Sequence, residues 1–366
     1  MAATSPLGTV VVLGYGNQGE AHARNLRDAG EHVRVAARPG LGAEARARSH
    51  GFDVAPPREA LAGADTLVML LPDEAVPQVW PTLADAATHL RAVVFAHGFN
   101  LLYGALAFAP ATSVLLVSPT GPGRVLRHEY EAGRGLPAYL AVHQSGAHEA
   151  WALAEHYAHA LGSTRARVIR TTVREETEID LFGEQSVLCG GMNALVSAAY
   201  NTLVDAGYTP EVAYLECVHQ LKFLADLLHA RGVAGLRRGI SGTALYGDLT
   251  RGPRVIGEAS RASLRTMLDE IRSGAFAREW LAEVEAGKPT LTRLLDAGDA
   301  DPIEEGRRRA LGELDVQRVA GRDGVVERLA GDGCACAVHV HGLSSLESFG
   351  CCRCFACCVM RMAFAD

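Results

Sequence analysis

The chain has 366 residues, 48% of them hydrophobic and 21% charged, which is typical of a globular protein with room for two domains. Its formal net charge of -7 gives no general electrostatic attraction to nucleic acid or to an anionic membrane, so neither is predicted as a partner. The N-terminus MAATSPLG lacks the regions of a signal peptide, and no unbroken apolar run reaches the roughly 18 residues that span a bilayer. We therefore expect a soluble, cytoplasmic protein.

The first half of the chain alternates short aliphatic or β-branched segments with helix-like ones. Five of the short segments are predicted to be strands: 9–13, 32–37, 66–71, 92–97 and 113–119. Strands separated by helices of this size predict a parallel sheet covered on both faces. The fold class is therefore α/β, and we place a Rossmann-type dinucleotide-binding domain at residues 1–182.

From about residue 183 the pattern changes to long helical periods without strands. Leu188, Met192, Leu195, Ala199 and Leu203 recur at steps of three and four residues, which predicts a helix with a core-facing apolar stripe. We therefore predict a second, all-helical domain at 183–320 that holds metal and substrate.

The remaining segment, 321–366, contains seven of the nine cysteines and is expected to be a disordered, dispensable tail. Zinc binding by CCRCFACC with His339 and His341 is the alternative. Adjacent cysteines, however, lack the paired C-x₂-C spacing that is typical of structural zinc sites.

A glycine-rich loop follows the first predicted strand. VVVLGYGNQGEAHARNLRDAG (10–30) contains Gly14, Gly16 and Gly19 in G-x-G-x-x-G spacing. Two of these glycines permit a tight turn and the close approach of a pyrophosphate, and the third lets helix and strand pack closely. A purely structural glycine turn is the alternative, but its position at the first strand-to-helix junction favours a dinucleotide site.

The end of the second predicted strand reads VAARPG and offers Arg38 where an acidic residue would select a free ribose 2′-hydroxyl. This arginine favours the 2′-phosphate of NADPH. A solvated loop arginine is the alternative.

Two pairs of acidic or amide side chains stand beside apolar helical segments. In EETEIDLFGEQ (175–185) Asp180 and Glu184 stand four residues apart, and in YLECVHQLKFLADLL (214–228) so do Glu216 and Gln220. Two helices that each direct such a pair inward can build a carboxylate metal site, and oxygen ligands suit Mg²⁺ or Mn²⁺. A solvated acidic face is the alternative, although the apolar surroundings suggest burial.

Several segments together resemble ketol-acid reductoisomerase of the short class. They occur in the family's order and are GYGNQGEAHARNLRDAG, FAHGFN, TGPG, EETEIDLFGEQSVLCGG, ECVHQLK, ISGTALYGD and GPRVI. The resemblance covers about residues 8–310. It implies a Rossmann domain followed by a knotted helical domain, NADPH, two Mg²⁺ ions, a small substrate bearing a carboxylate, and a homo-oligomer that is at least a dimer.

The resemblance also implies roles for individual residues. The cofactor phosphates would be lined by Tyr15, Asn17 and Gln18 beside Gly14, Gly16 and Gly19, and further cofactor contacts would come from Arg38, Asp73 and Gly123. His97 would be the active-site histidine and Ser241 a substrate-carboxylate contact. The metals would be held by Asp180, Glu184 and Glu216, which would thus be catalytic as well.

The sequence departs from the family's pattern at several positions within its catalytic motifs. The family's lysine before GPG is Thr120 here, the second glutamate of E-C-x-H-E-L-K is Gln220, and S-N-T-A-E has become SGTAL with Gly242 and Leu245. The alkyl shift of the parent reaction needs two Lewis-acid metals, whereas hydride transfer needs cofactor, orientation and one polarising group.

Three functional hypotheses follow. The first is an NADPH- and Mg²⁺-dependent oxidoreductase of a specialised, natural-product pathway that reduces a C=O or C=N group next to a carboxylate, with a weakened isomerase step. The second is an authentic ketol-acid reductoisomerase of branched-chain amino acid biosynthesis. The third is a non-catalytic paralogue, and the retention of the acids and of His97 speaks against it.

Overall fold

A computed structural model describes residues 5–312, so the predictions for the Cys-rich tail lie outside the described residues. Contacts divide the chain into two units. The sheet unit comprises the described residues up to Leu195 together with Ala262–Asp299, and the helical unit comprises Val196–Arg261 and the described residues from Ala300 onward. A change of pattern alone put the domain boundary at 182/183, and that boundary remains a prediction.

The sheet unit is built on an eight-stranded sheet of order β3-β2-β1-β4-β5-β6-β7-β8. The strands are β1 (Thr9–Leu13), β2 (His32–Ala36), β3 (Asp53–Ala55), β4 (Thr66–Met69), β5 (Ala92–Phe95), β6 (Ser113–Pro119), β7 (Ala138–Gln144) and β8 (Val168–Arg170). All neighbouring strands run parallel except β6 and β7. The predicted Rossmann-type sheet is confirmed, with its strand order reversing between β1 and β4.

Helices lie between these strands and continue after β8. They are α1 (Asn17–Asp28), α2 (Gly42–Ser49), α3 (Pro57–Ala60), α4 (Val76–Val79), α5 (Phe99–Leu102), α6 (Gly123–Glu131), α7 (Ala150–Ala160) and α8 (Val173–Gly183). Two separate apolar cores form on the sheet, because alternate side chains of one strand point to opposite faces. Val10 and Val12 belong to one core and Val11 and Leu13 to the other.

The remaining helices are α9 (Gly190–Asp205), α10 (Pro210–Tyr214), α11 (Leu221–Gly239), α12 (Gly242–Val255), α13 (Glu258–Arg272), α14 (Ala275–Glu285), α15 (Pro289–Asp299) and α16 (Pro302–Leu311). The absence of strands predicted after residue 183 holds within the described residues. In the helical unit Tyr200, Ala213 and Tyr214 form the centre of a small core, against which Ile303 and Leu311 of α16 pack.

Two five-residue π turns interrupt the helical path, at Glu184–Leu188 and at Leu215–His219. In the first, the backbone N–H of Cys189 donates to the carbonyl of Glu184 at 3.0 Å, a spacing of five residues. Two glycines make this turn possible, because a Cβ at Gly190 or Gly191 would come within 2.3 or 1.9 Å of a carbonyl oxygen. Such turns are rare and concentrate at functional sites.

The predicted core-facing stripe is found only in part. Leu203 packs against the core around Tyr200, whereas Leu188, Met192 and Leu195 are 62%, 41% and 50% exposed, so the described residues leave that part of the apolar side uncovered. The continuous stretch Val173–Asp205 is also long and apolar enough to cross a membrane by length and composition, with a mean hydropathy of 1.3 in its best window. The stretch contains charged residues, among them Asp180 and Glu184, so it is not an unbroken apolar run and does not contradict the expectation that the sequence lacks one.

Candidate active site

The glycine loop after β1 has the geometry expected of a pyrophosphate cradle. Gly14 has φ +97, and a Cβ there would lie 2.5 Å from the carbonyl oxygen of Leu70. A Cβ at Gly19 would lie 2.0 Å from the carbonyl oxygen of Gly14, whereas one at Gly16 would meet no atom within 4 Å. Gly14 and Gly19 are therefore required by packing, and Gly16 leaves an open space at the N-terminus of α1 where a phosphate can approach.

A second helix begins beside this loop. A Cβ at Gly123, the first residue of α6, would lie 2.1 Å from the carbonyl oxygen of Asn17. The Asn17 side chain accepts the backbone N–H of Arg124 at 3.1 Å, and Gln18 Nε2 donates to the carbonyl of Gly121 at 3.0 Å. The N-termini of α1 and α6 are thereby held together, so two positive helix ends meet at the predicted phosphate position.

Tyr15 and Arg38, both predicted to contact the cofactor, differ in exposure. The Tyr15 side chain is 1% exposed and its hydroxyl lies 2.8 Å from His50 Nδ1, so only its main chain is available to a ligand. Arg38 is exposed just beyond the end of β2. In the following helix α2 the Glu44 carboxylate accepts the N–H of Gly40 from the preceding loop at 2.7 Å and pairs with Arg48 at 3.0 Å. These contacts keep the pKa of Glu44 below its usual range, so a negative charge stands near Arg38 in sequence.

The predicted histidine lies in a cluster of carboxylates at the carboxyl end of the sheet. His97 follows β5, and its Nε2 lies 3.8 Å from Asp73 Oδ2, just beyond β4. Its Nδ1 lies 3.2 Å from Asp180 Oδ2 and 3.8 Å from Glu176 Oε1, both on α8. The sheet unit therefore brings together three of the residues named from the sequence, His97, Asp73 and Asp180, and adds Glu176.

Ionisation within this cluster is strongly coupled. Burial by itself lowers the pKa of His97, but the carboxylates of Glu176, Asp73 and Asp180 outweigh it and raise that pKa to about 9. Burial raises the pKa of Asp180 to about 6; the His97 charge opposes this shift, and the neighbouring carboxylates of Glu184, Glu176 and Asp73 add to it. The arrangement concentrates negative charge around one imidazole.

The segment FAHGFN is explained by close packing around the histidine. A Cβ at Gly98 would lie 2.0 Å from Thr177 Oγ1 and 2.9 Å from Glu176 Oε2, so only glycine lets this loop approach α8 so closely. Asn100 Nδ2 donates to both the carbonyl and the Oδ1 of Asp73 at 3.0 Å. Gly98 thus sets the distance to α8, and Asn100 holds Asp73 beside the ring.

The expectation that Asp180 and Glu184 are the buried acids of this segment is corrected by the structure. Asp180 is 42% exposed in its side chain and Glu184 is exposed, whereas Glu176 has no exposed surface. Oε1 of Glu176 is buried without a hydrogen-bond partner among the described residues. Sequence reasoning missed Glu176, although it stands four residues before Asp180, as Asp180 does before Glu184.

In the helical unit the second pair lies at the π turn Leu215–His219. Glu216 and Gln220 are both exposed, and Gln220 Nε2 donates to Glu216 Oε2 at 2.6 Å. Ser241 is the N-cap of α12, where its Oγ accepts the backbone N–H of Ala244 at 3.3 Å. The expected burial of Glu216 and Gln220 is therefore not found among residues 5–312.

Thr120 replaces the lysine of the family in the loop after β6. It is exposed, and its Oγ1 donates to the carbonyl of Pro137 at 3.1 Å. Its side chain carries no charge and its one proton is engaged by the main chain. This position therefore supplies neither a fixed positive charge nor a free proton donor.

The donor chemistry on α8 suits a hard divalent cation. Asp180 and Glu184 stand one turn apart with accessible oxygens, and the mutual repulsion of the carboxylates around Asp180 would be relieved by a cation. Within residues 5–312 no three side chains of His, Cys, Asp or Glu already form a complete metal cluster.

A Rossmann-type sheet with a pyrophosphate cradle and a histidine–carboxylate cluster at its carboxyl edge defines an NAD(P)H-dependent oxidoreductase. Comparison with known families gives the particular class. Residues 7–167 match the model of the acetohydroxy acid isomeroreductase NADPH-binding domain, and residues 173–310 match that of the ketol-acid reductoisomerase C-terminal domain. The chain belongs to the ketol-acid reductoisomerase family.

Individual relatives agree with this assignment. A ketol-acid reductoisomerase (NADP(+)) of Saccharopolyspora erythraea is 48% identical over 299 residues, which cover 81% of this chain and 90% of the relative. The solved structure of an NADH-preferring ketol-acid reductoisomerase from an uncultured archean is 34% identical, with a TM-score of 0.81, and the match covers 84% of this chain and 95% of that one. A semialdehyde dehydrogenase NAD-binding protein from Cupriavidus necator, 18% identical with a TM-score of 0.56 over 72% of this chain and 98% of its own, shares the fold.

Proposed function

We propose that this enzyme reduces a C=O or C=N group next to a carboxylate with NADPH, and that it has largely lost the alkyl-shift step of its family. The observation that carries the proposal is the bond from Gln220 Nε2 to Glu216 Oε2 at 2.6 Å. The neutral amide of Gln220 stands where the family has a carboxylate, and it occupies one oxygen of the Glu216 carboxylate. Thr120, with its hydroxyl on Pro137, removes the second group that the alkyl shift requires.

Residues of this chain would orient the cofactor and the substrate and supply a proton during reduction. The helix ends at Gly16 and Gly123 would bind the cofactor phosphates, and Ser241 would bind the substrate carboxylate. His97, held by Asp73 and Asp180, would supply the proton that the reduced oxygen or nitrogen accepts. The bound NADPH would supply the hydride.

Magnesium is part of the proposal as a support for binding. Asp180 and Glu184 would hold it, and Glu216 is the further ligand that the family resemblance implies. Bound there, the ion would polarise the carbonyl and neutralise the acids. With Gln220 in place of glutamate, the ligands carry one negative charge fewer, which weakens affinity for an ion that gives up water reluctantly.

We infer that the functional form is a homo-oligomer, at least a dimer, in the cytoplasm. Val187 and Leu188 are 61% and 62% exposed, and Tyr246 in the helical unit is 66% exposed. A second copy that covers such side chains is favoured over a lipid bilayer because Asp180 and Glu184 lie within Val173–Asp205, the stretch that could otherwise span it.

The preference for NADPH rests on Arg38 at the end of β2, where the family's NADPH-specific members bind the 2′-phosphate. The family serines that would assist are Leu41 and Ala43 here, and Glu44 adds a negative charge in the first turn of α2. We therefore propose a moderate preference for NADPH over NADH.

The decisive experiment compares two substrates under identical conditions with NADPH and Mg²⁺. We expect measurable reduction of a pre-formed keto or imino acid, and conversion of acetolactate lower by a factor of about 10²–10⁴, since the shift has lost a proton-transfer group. The double variant Thr120→Lys, Gln220→Glu should recover part of the acetolactate activity, each single variant less. Thr88→Lys, which adds a charge to an exposed threonine elsewhere, is the matched control and should change neither rate.

A second candidate is an authentic ketol-acid reductoisomerase of branched-chain amino acid biosynthesis, favoured by the 48% identity to the Saccharopolyspora erythraea enzyme. Efficient acetolactate turnover by the unmodified protein would establish it in place of the first. A reductase without the shift suits a specialised pathway instead. Absence of turnover with every substrate, together with tight NADPH binding, would leave the non-catalytic paralogue.

A further inference from the structure

An ion pair outside the cluster described above involves one of the only two lysines in the chain. Lys288, between α14 and α15, places its Nζ 2.7 Å from Glu74 Oε1. Both side chains are partly buried, with 35% and 25% of their surface exposed, and they are 214 positions apart in sequence. Both belong to the sheet unit. A partly desolvated ion pair between distant segments restricts the motion of those segments more than an exposed pair does.

The backbone at Lys288 is fixed in an unusual conformation. It has φ +62 directly after Gly287 at φ +83, and among residues 5–312 it is the one non-glycine with positive φ. Its N–H donates to the Glu283 carbonyl at 2.8 Å, and its own carbonyl accepts the Thr292 N–H at 3.0 Å. The ammonium also lies 5.2 Å from the centre of the Trp280 ring. The lysine is therefore directed at Glu74 from a rigid turn.

Glu74 belongs to the short 3₁₀ turn Asp73–Ala75, which follows β4. The preceding residue is Asp73, whose carboxylate faces His97 at 3.8 Å and is bonded by Asn100. A turn of three residues has little hydrogen bonding of its own. Asn100 thus holds this turn through Asp73, and Lys288 holds it through Glu74.

We propose that Lys288 is a positioning residue for the cofactor side of the active site, acting through Glu74 on the Asp73–Ala75 turn. The ammonium fixes the turn and also balances a carboxylate that would otherwise add to the negative charge of Asp73, Glu176 and Asp180. Without it the turn would sample other conformations, and Asp73 would lose its fixed place beside His97. The inference rests on the proposed function insofar as Asp73 borders the cofactor.

Two measurements on the full-length protein test this role. Lys288→Gln should increase amide hydrogen exchange in the peptide that contains residues 73–76 by about tenfold, in the absence of any nucleotide. It should also raise the Kd for NADPH, measured by fluorescence titration, by about five- to tenfold. Lys288→Arg keeps the charge and should stay within about twofold of the unmodified protein in both.

A double-mutant test of Lys288 and Glu74 distinguishes an effect of their ion pair from a general loss of stability. Glu74→Gln should reproduce both effects of Lys288→Gln, and the double variant should be no worse than either single one. Arg58→Gln breaks the exposed pair with Asp85 in the same unit and is the control, with no change in exchange at 73–76 or in Kd. An Arg58→Gln variant that matches Lys288→Gln would show only a structural role.

The outcomes against the proposal are distinct. Unchanged exchange at 73–76 in Lys288→Gln, a Lys288→Arg variant as defective as Lys288→Gln, or multiplicative effects in the double variant would each overturn it. Increased exchange with an unchanged Kd would show that the turn is held but that the cofactor does not depend on it, which overturns it too. Failure of the unmodified protein to bind NADPH would refute the proposed cofactor, while the exchange measurement would still decide whether Lys288 holds the turn.

Discussion

The sheet unit and the helical unit bury their apolar side chains to very different degrees. Leu67 and Val94, on neighbouring strands of the sheet, have no exposed surface. In the helical unit the small core around Tyr200 is accompanied by apolar side chains that are largely open to solvent, among them Phe223 at 55% and Tyr246 at 66%. The strands of the sheet are covered by the chain itself, whereas the helical unit leaves large apolar side chains exposed, as does the stretch from Val187 to Leu195 in the sheet unit.

The candidate chemistry follows the same division. His97 is surrounded by partners from its own unit, and its geometry depends on close packing between β5 and α8. Glu216 and Gln220 are exposed and contact each other. The sheet unit thus holds a cluster of side chains from several elements, whereas the candidate residues of the helical unit form one exposed pair.

The largest effect is expected where this contrast is greatest. The double variant Phe223→Ser, Val233→Ser removes two side chains of α11 that are more than half exposed. Burial of each at an interface is worth about 1.5–3 kcal/mol, so the dimer Kd should rise by a factor of about 10²–10⁴. Light scattering over a dilution series measures this change. Ile169→Ser, at a 41% exposed position of β8, should leave the Kd unchanged.

A monomeric unmodified protein, or a double variant with the same dimer Kd, would break the comparison. In either case exposed apolar side chains of α11 would have no role in assembly.

The next effect separates packing from binding within the sheet unit. Gly98 and Gly16 have nearly the same φ, −88 and −87, so alanine is compatible with both backbones. Gly98→Ala would force a methyl group against Thr177 and should lower the free energy of unfolding by about 1–3 kcal/mol in urea titrations. Gly16→Ala should leave that free energy within about 0.5 kcal/mol but weaken NADPH binding. Equal losses of stability in both variants would contradict this assignment.

A smaller effect concerns the pH dependence of the sheet unit. His22 is fully buried, its Nδ1 lies 2.8 Å from the Tyr157 hydroxyl, and its Nε2 has no partner among the described residues. Burial lowers the pKa of His22 to about 3 from 6.5, so below pH 6.5 the unfolded chain binds a proton that the folded chain excludes. The resulting stability is complete above pH 6.5 and decreases as the pH falls toward 3, by at most about 1.4 kcal/mol per pH unit.

Urea titrations between pH 5 and 8 measure this slope. His22→Gln should reduce it, and His32→Gln, at an exposed position, should not. An identical slope in His22→Gln would rule out His22 as its source.

The smallest expected effect lies in the segment after β2. Arg38→Ala should lower the ratio of NADPH to NADH affinity by about two- to fivefold, because the Arg38 charge is exposed and screened. Glu44→Gln should raise the ratio by a similar factor, because the Glu44 charge is already paired with Arg48. Fluorescence titration with both nucleotides measures the ratio. An unmodified protein that binds NADH at least as tightly as NADPH would refute the proposed preference.

Periodicity and composition were enough to predict five strands and the Rossmann-type fold. The missed strands β3 and β8 have three residues each, too few for a pattern, and β7 (AYLAVHQ) pairs antiparallel with β6, which no βαβ pattern predicts. These elements depend on the neighbours that the fold supplies.

Site residues could be predicted where the residue type and its spacing point to one structural role. The glycines of the loop and their roles followed from spacing, and His97 followed from the family segment. Glu176 did not, because its burial depends on how closely Gly98 lets the loop approach α8, which is a tertiary distance. The apolar stripe from Leu188 onward was predicted correctly as helical, but of its members Leu203 packs against a core while Leu188, Met192 and Leu195 are exposed, since sequence periodicity does not say where a core lies.

The two π turns have a consequence for insertions and deletions among relatives. A π turn is a helix with one surplus residue, so deleting one residue from 184–188 or 215–219 would yield an ordinary α-helix, and the chain would still fold. Residues on the far side would keep nearly the same orientation, because a π turn absorbs its surplus residue locally, whereas the same deletion from an ordinary α-helix would rotate them by about 100°. A one-residue gap in either segment of a homologue would therefore leave the scaffold in place and change only the local positions within the turn, which include Glu184 in one segment and Glu216 in the other.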